Sequence, residues 1–175
     1  MASAGSYSSV RTLIACMSAA LVAALTVLPS SAHAAGSASF DRVERSIVRK
    51  LNRIRAGAGL PLLHRNRALA RSADFHCADM LNANFFAHSS SNGQDMASRV
   101  EPFRRSSWVG ETLAYVPSRG SGHQAARIVS MWMHSPPHRE ALMSGRYTRI
   151  GVARRRGMLG GQGSIVFTAD LASRR

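Results

Sequence analysis

Cysteine is scarce in this chain of 175 residues, which carries only Cys16 and Cys77. Cys16 lies in an N-terminal leader expected to be removed, so Cys77 is left without an intramolecular partner. That excludes a disulfide framework, and the exported domain must hold itself together by packing. Lysine is scarcer still, Lys50 being the only one. Acidic residues are few as well: 9 Asp+Glu face 23 Lys+Arg, a formal net charge of +14. The positive charge is therefore almost entirely arginine, whose bidentate, permanently charged head favours phosphates and carboxylates. Aromatic residues make up only 6% of the chain, and the arginines are spread along it. A nucleic-acid platform needs aromatics for bases to stack on beside the basic groups, so nucleic acid is not an expected partner. No Gly-rich loop follows a strand, which argues against nucleotide binding. Neither a Gly-x-Ser-x-Gly elbow nor a His-Glu-x-x-His pair is present, and no internal repeat or long disordered tract appears.

The sequence begins with the ordered features of a secretory signal peptide. Arg11 supplies a positive start, Thr12 to Leu28 form an apolar run, and Ala32-His33-Ala34 offers a small-x-small cleavage site. The run is short for a membrane span and has no stop-transfer flank, so no transmembrane segment is expected after cleavage near Ala34. The expected organisation is a signal peptide over 1–34, a short leader over 35–38 and a single domain over 39–175, placed outside the cell. That length buries a core without staples.

Along the domain, helical spacing of Phe40, Val43, Ile47, Leu51 and Ile54 predicts a first helix capped by Ser39 and ended by Gly57 and Gly59. Asn66 caps a second helix to about Ala83, with Leu69, Ala73, Cys77, Met80 and Leu81 on its apolar face. Asp95 to Glu101 reads as a short third helix stopped by Pro102. Residues 108–116 read as a short extended segment, and His123 to His134 as a helix broken by Ser135-Pro136-Pro137. Another short helix follows, with Ser135 as its cap and proline in its first turn. Tyr147 to Arg155 and Ser164 to Leu171 are strands joined by the Gly-rich stretch 157–163. Helices first and antiparallel strands last predict an α+β domain, not a doubly wound parallel sheet.

Four segments carry the functional reading: LNRIRAGAGLPLL (51–63), FFAHSSSNG (85–93), GETLAY (110–115) and WMHSPPHREALM (132–143), followed by YTRIGVARRRG (147–157). In this order and with these gaps the series resembles the bacterial branch of the CAP superfamily, which groups cysteine-rich secretory proteins, antigen 5 and plant pathogenesis-related proteins. The likeness covers residues 40–172. It implies a three-layer α-β-α sandwich around a central antiparallel sheet, with a polar cleft where histidine and acidic side chains converge. On that basis His88, Glu111 and His138 match the family's cleft residues. Ser135 stands where many eukaryotic members carry a second acid, Thr112 replaces the usual asparagine, and Pro137 the usual glycine. The missing acid leaves inherited metal binding and catalysis open.

Two imidazoles and a carboxylate can serve as a zinc site with an open position for water, which a bound ion would activate for hydrolysis. They can equally be hydrogen-bonded histidines with Glu111 as their acceptor. Arg139, next to His138, is a candidate to hold the Glu111 carboxylate or an anionic ligand, with a surface ion pair as its plainer role. His134 and His138 have the spacing of a helical zinc pair, but Pro136 and Pro137 interrupt that helix. His76 and Cys77 are adjacent, point to different sides of a helix, and do not form a nucleophile–base pair. Trp132 reads as core. Three functions follow: a binder of an extracellular or cell-surface ligand at the His88–Glu111–Ser135–His138–Arg139 cleft; a secreted hydrolase using Zn2+ on His88, Glu111 and His138; and an arginine-driven binder of anionic wall polymer or lipid.

Overall fold

Asp41 opens the first helix. Its side chain accepts from the Glu44 backbone at 2.8 Å while the Glu44 carboxylate accepts from the Asp41 N–H at 2.7 Å. This reciprocal capping box satisfies two N–H groups that a helix start leaves open. Helix α1 (Arg42–Gly57) thus starts later than a Ser39 cap predicts. The computed structural model describes residues 41–119 and 122–174, so the signal peptide over 1–34, the leader over 35–38 and Ser39 itself lie outside the described residues.

The remaining elements are β1 (His64–Arg65), α2 (Arg67–Asn82), α3 (Met96–Val100), β2 (Val109–Pro117), α4 (Gln124–His134), α5 (Pro136–Met143), β3 (Arg149–Leu159) and β4 (Gln162–Ala172). Asn66 caps α2 as its sequence position predicts, accepting from Leu69 N at 3.0 Å. Asp95 does the same for α3 through Ser98 N at 2.8 Å. The sheet runs β1-β3-β4-β2 and is antiparallel except for the two-residue β1, which pairs parallel with β3. The β3–β4 connection is tighter than the predicted 157–163 loop. Both strands continue to a two-residue turn at Gly160-Gly161, whose φ angles of 57° and 76° suit the primed turns that match strand twist.

Alternation along the strands sorts the side chains into two layers. On one face Leu113, Ala153 and Val166 pack under Ala73, Cys77 and Met80 of α2. On the other, Ala114, Val152, Phe167 and Ala169 meet Ile47 and Leu51 of α1, Ile128 and Trp132 of α4 and Leu142 of α5. The result is the expected α-β-α sandwich. Each large side chain buried there contributes roughly 1.5–3 kcal/mol. Trp132 is fully buried and donates its indole N–H to the Leu113 carbonyl of the edge strand β2 at 3.0 Å. A tryptophan at this position therefore fixes β2 as well as filling core.

Two residues set how closely the layers approach. Gly151 of β3 lies against α2, where any Cβ would overlap the backbone of Leu69 and Ala70. Arg55, fully buried on α1, sends its guanidinium to four carbonyls: Pro61, Leu142, Ser144 and Tyr147. One fork thereby ties α1 to the segment joining α5 and β3. Among the described residues no helix is long and apolar enough to cross a membrane.

Candidate functional site

The site forms where the loop after α2 crosses the start of the edge strand β2. That loop is pinned at several points. Asn84 turns the chain with φ 52° and accepts from Gly160 N at 2.7 Å. The Asp79 carboxylate receives the Ser91 N–H at 2.8 Å and the Ser91 hydroxyl at 2.5 Å. His76, fully buried on α2, donates Nε2–H to the Ala87 carbonyl at 2.9 Å. From the other side Arg99 of α3 donates to the His88 carbonyl at 2.9 Å and to the Ser90 hydroxyl at 3.3 Å. The backbone of His88 is thus held from both flanks.

Glu111 is the third residue of β2, after Val109-Gly110, and its side chain is wholly buried while that of His88 is 57% exposed. His88 Nδ1 meets Glu111 Oε1 at 2.7 Å. The Arg99 guanidinium donates to Oε2, and His76 Nε2 lies 3.8 Å from the same oxygen. His138, three residues into α5, presents its ring edge-on to His88 with centroids 6.3 Å apart. Three of the predicted residues, His88, Glu111 and His138, therefore lie together at one edge of the sheet, which their separation in sequence could not show.

The other two behave differently. Ser135 occupies the N-cap of α5 but makes no side-chain cap hydrogen bond; its carbonyl accepts from Arg139 N at 2.8 Å. Arg139 does not hold the Glu111 carboxylate. It stays exposed, and the arginine on Glu111 is Arg99. The physical reason is that α3 packs beside β2 and delivers a buried guanidinium, whereas Arg139 lies one residue past His138 on the outward side of α5. Thr112 alternates to the opposite face of β2 and is fully buried, so it belongs to the packing and not to the cleft.

The electrostatics divide the titratable groups. The hydrogen bond that His88 donates to Glu111, aided by the negative charge of that carboxylate, raises the His88 pKa. Burial, then the neighbouring His88 charge, lowers that of His138. His76 is lowered by burial, against the opposing pull of Glu111. A second acid lies directly across the β2–β4 ladder: Asp170 pairs in register with Glu111 and with Gly151 of β3. It is fully buried, neither carboxyl oxygen has a hydrogen-bond partner among the described residues, and burial followed by the Glu111 charge pushes its pKa well above the carboxylate range. In this interior Glu111 meets Arg99 directly, while burial disfavours the charged forms of both Asp170 and His76.

Both Glu111 oxygens are engaged by protein donors, so this carboxylate does not offer itself as a third ligand beside the imidazoles of His88, whose Nε2 stays open, and His138. Among the described residues no group of three or more His, Cys, Asp or Glu side chains is disposed to hold an ion. His134 and His138 stand on separate helices, and His134 bonds the Ser130 carbonyl at 2.7 Å. Cys77 is buried against Thr168 at 3.2 Å with its thiol pushed up to about 12, too protonated and too enclosed to react or to link two folded chains.

Sequence reasoning missed three contributors. His76 was legible in principle: it falls seven residues after Leu69 and four before Met80, on the buried side of α2. Asp170 was legible as a lone acid inside the apolar strand Ile165 to Leu171. Arg99 gave no signal, because one arginine among many in a five-residue helix does not stand out.

A three-layer sandwich with histidines gathered on a buried glutamate at the sheet edge defines a recognisable class of small domain. Residues 48–170 match the model of the cysteine-rich secretory protein family, CAP, and the chain belongs to that family. In structure it is similar to an outer surface protein from Borrelia burgdorferi, with a TM-score of 0.64 at 20% identity over 78% of this chain and 96% of that one. It is also similar to an extracellular protein containing an SCP domain from Bacillus anthracis str. Ames, with a TM-score of 0.61 at 24% identity over 74% of this chain and 40% of that one. Among curated proteins it is 32% identical over 113 residues to the uncharacterized membrane protein YlbC of Bacillus subtilis (strain 168), covering 62% of this chain and 30% of that protein. The match thus spans less than a third of that relative's length.

Proposed function

We propose that this is an exported CAP-domain protein that binds an extracellular or cell-surface ligand at the His88–His138 edge, and that Glu111 and Arg99 form the internal scaffold of that surface. The observation that carries the reading is the saturation of Glu111: one oxygen takes His88 and the other takes Arg99. The groups left to meet a ligand are the exposed His88 ring and the partly exposed His138 beside it. Two residues before His88, Phe86 packs edge-on against Tyr115 of β2 with centroids 4.9 Å apart, both half-exposed, which adds an aromatic shoulder to the same face. Imidazole donors beside such a shoulder suit a ligand with polar groups on an apolar or ring-shaped body. Export rests on the N-terminal sequence pattern and on the extracellular location stated for a structural relative.

Binding of purified cell-envelope fractions by wild type and by the His88→Ala and His138→Ala variants tests the reading. Both variants stay folded, His88→Ala melting somewhat lower because Glu111 loses a partner, and both bind at least about tenfold more weakly, the loss of one good hydrogen bond or more. Variants that bind every fraction as the wild type does would end it. The hydrolase alternative predicts turnover that requires zinc and disappears with His88→Ala.

A further inference from the structure

Helix α1 carries a feature that the cleft does not use. Its outward side bears Arg42, Arg45, Arg49 and Arg53, all exposed, with Lys50 beside them. From Arg42 to Arg53 this row extends about 16 Å at 1.5 Å per residue. Arg45/Arg49 and Arg49/Arg53 are like-charged pairs at i,i+4, a spacing at which repulsion disfavours the helix. The acids at the start of α1 have other partners: Asp41 and Glu44 cap the helix, and Asp41 also pairs with Arg154. Among the described residues the side chains of Arg42, Arg49, Lys50 and Arg53 make no hydrogen bond or ion pair.

A cavity flanks this row on each side. One, of about 260 Å³, is lined by Arg42, Ser46 and Lys50 of α1 together with His123 and Gln124 at the start of α4. The other, of about 290 Å³, is lined by Arg45, Arg49 and Asn52 together with His64 and Arg65 of β1. No described residue lining either cavity is acidic. Five of the 23 Lys and Arg residues thus form a cationic ridge between two recesses.

We infer that the α1 ridge is a docking surface for a flexible anionic polymer of repeating phosphate groups, which crosses the helix and seats anionic groups in the recesses on either side. The span of the ridge calls for several linked charges instead of one isolated anion, and arginine forks match phosphate oxygens. A membrane fits less well: none of the exposed large apolar side chains among the described residues lies on α1, so the ridge offers nothing to insert between lipids. This inference is independent of the cleft reading.

Inorganic polyphosphate is the probe, with binding to the full chain followed across a salt series. Wild type binds in low salt, and its affinity falls steeply as salt rises. The triple variant Arg49→Gln/Lys50→Gln/Arg53→Gln loses at least about tenfold in affinity and lowers the salt slope by about 3, one released counterion per lost contact. A charge-matched control, Arg71→Gln/Arg156→Gln/Arg174→Gln, replaces exposed arginines elsewhere and stays within about threefold of wild type. Should the triple variant melt early, the double variant Arg49→Gln/Arg53→Gln carries the same test. Equal losses in ridge and control variants would overturn the inference, since binding would then follow net charge alone. Loss of polyphosphate binding in His88→Ala would also overturn it, by placing the anion in the cleft. So would ridge-dependent binding to anionic lipid vesicles without binding to polyphosphate.

Discussion

Replacing Asp170 by asparagine should stabilise this protein at neutral pH. The carboxyl is fully buried, has no hydrogen-bond partner among the described residues, and faces the Glu111 anion across the β2–β4 ladder. The other groups packed around it are Arg99, the Ser72 hydroxyl of α2 and, beyond Glu111, His76. Burial and Glu111 raise its pKa well above that of the unfolded chain. The sign follows from proton uptake. Below the unfolded pKa, near 4, both states hold the proton and the acid costs nothing. As pH rises from there towards the folded pKa, the unfolded state ionises and the folded state does not, so stability falls by about 1.4 kcal/mol per pH unit. Asparagine is near-isosteric with the neutral acid and escapes that penalty. Asp170→Asn should therefore match wild type near pH 4 and gain on it by up to about 1.4 kcal/mol for each pH unit above that while the folded acid keeps its proton, so that its Tm at pH 7 is the higher of the two. Urea unfolding at pH 4, 5, 6 and 7 measures this. A variant that equals wild type at pH 4 but is weaker at pH 7 would refute the reasoning, because Asp170 would then be an anion held by Arg99.

The remaining predictions bear on packing and on the histidines. Gly151→Ala drives a Cβ into the backbone of α2 and should cost about 3 kcal/mol or more, seen as a lower urea midpoint, whereas Gly157→Ala meets only the movable Leu81 side chain and should cost far less. Arg55→Lys keeps the charge but loses the fork to four carbonyls; a loss of about 3 kcal/mol by thermal melting is expected. In an NMR titration His88 should titrate above 6.5 and His76 and His138 below it, and Glu111→Gln should pull His88 back down. In linkage terms, the His88 contribution to stability is present at low pH and is lost as pH rises through its folded pKa. Those of His76 and His138 are lost as pH falls below 6.5.

The helices were legible because each carries its own start signal and periodicity: Asn66 and Asp95 cap α2 and α3 as read, and Pro136-Pro137 separates α4 from α5. Errors fell where a stronger local device competed. The Asp41–Glu44 box displaced the Ser39 cap, and two glycines with positive φ shortened the β3–β4 loop. At the site, the identities of His88, Glu111 and His138 came from the order of motifs, but their juxtaposition is a property of the fold. Arg99 escaped notice for the same reason: which of many arginines enters the core is decided by how α3 packs on β2, and no local pattern encodes that. Arg55 shows this again, an arginine in a basic helix that is buried only because four carbonyls converge on it.

Zinc calorimetry on the purified wild-type protein beside His88→Ala addresses most directly whether the Glu111 carboxylate is committed to His88 and Arg99. With both Glu111 oxygens engaged, His88 and His138 are left one ligand short of a three-residue zinc site, so zinc should produce no saturable 1:1 binding that depends on His88. A stoichiometric zinc site in the wild type that vanishes in His88→Ala would contradict the account.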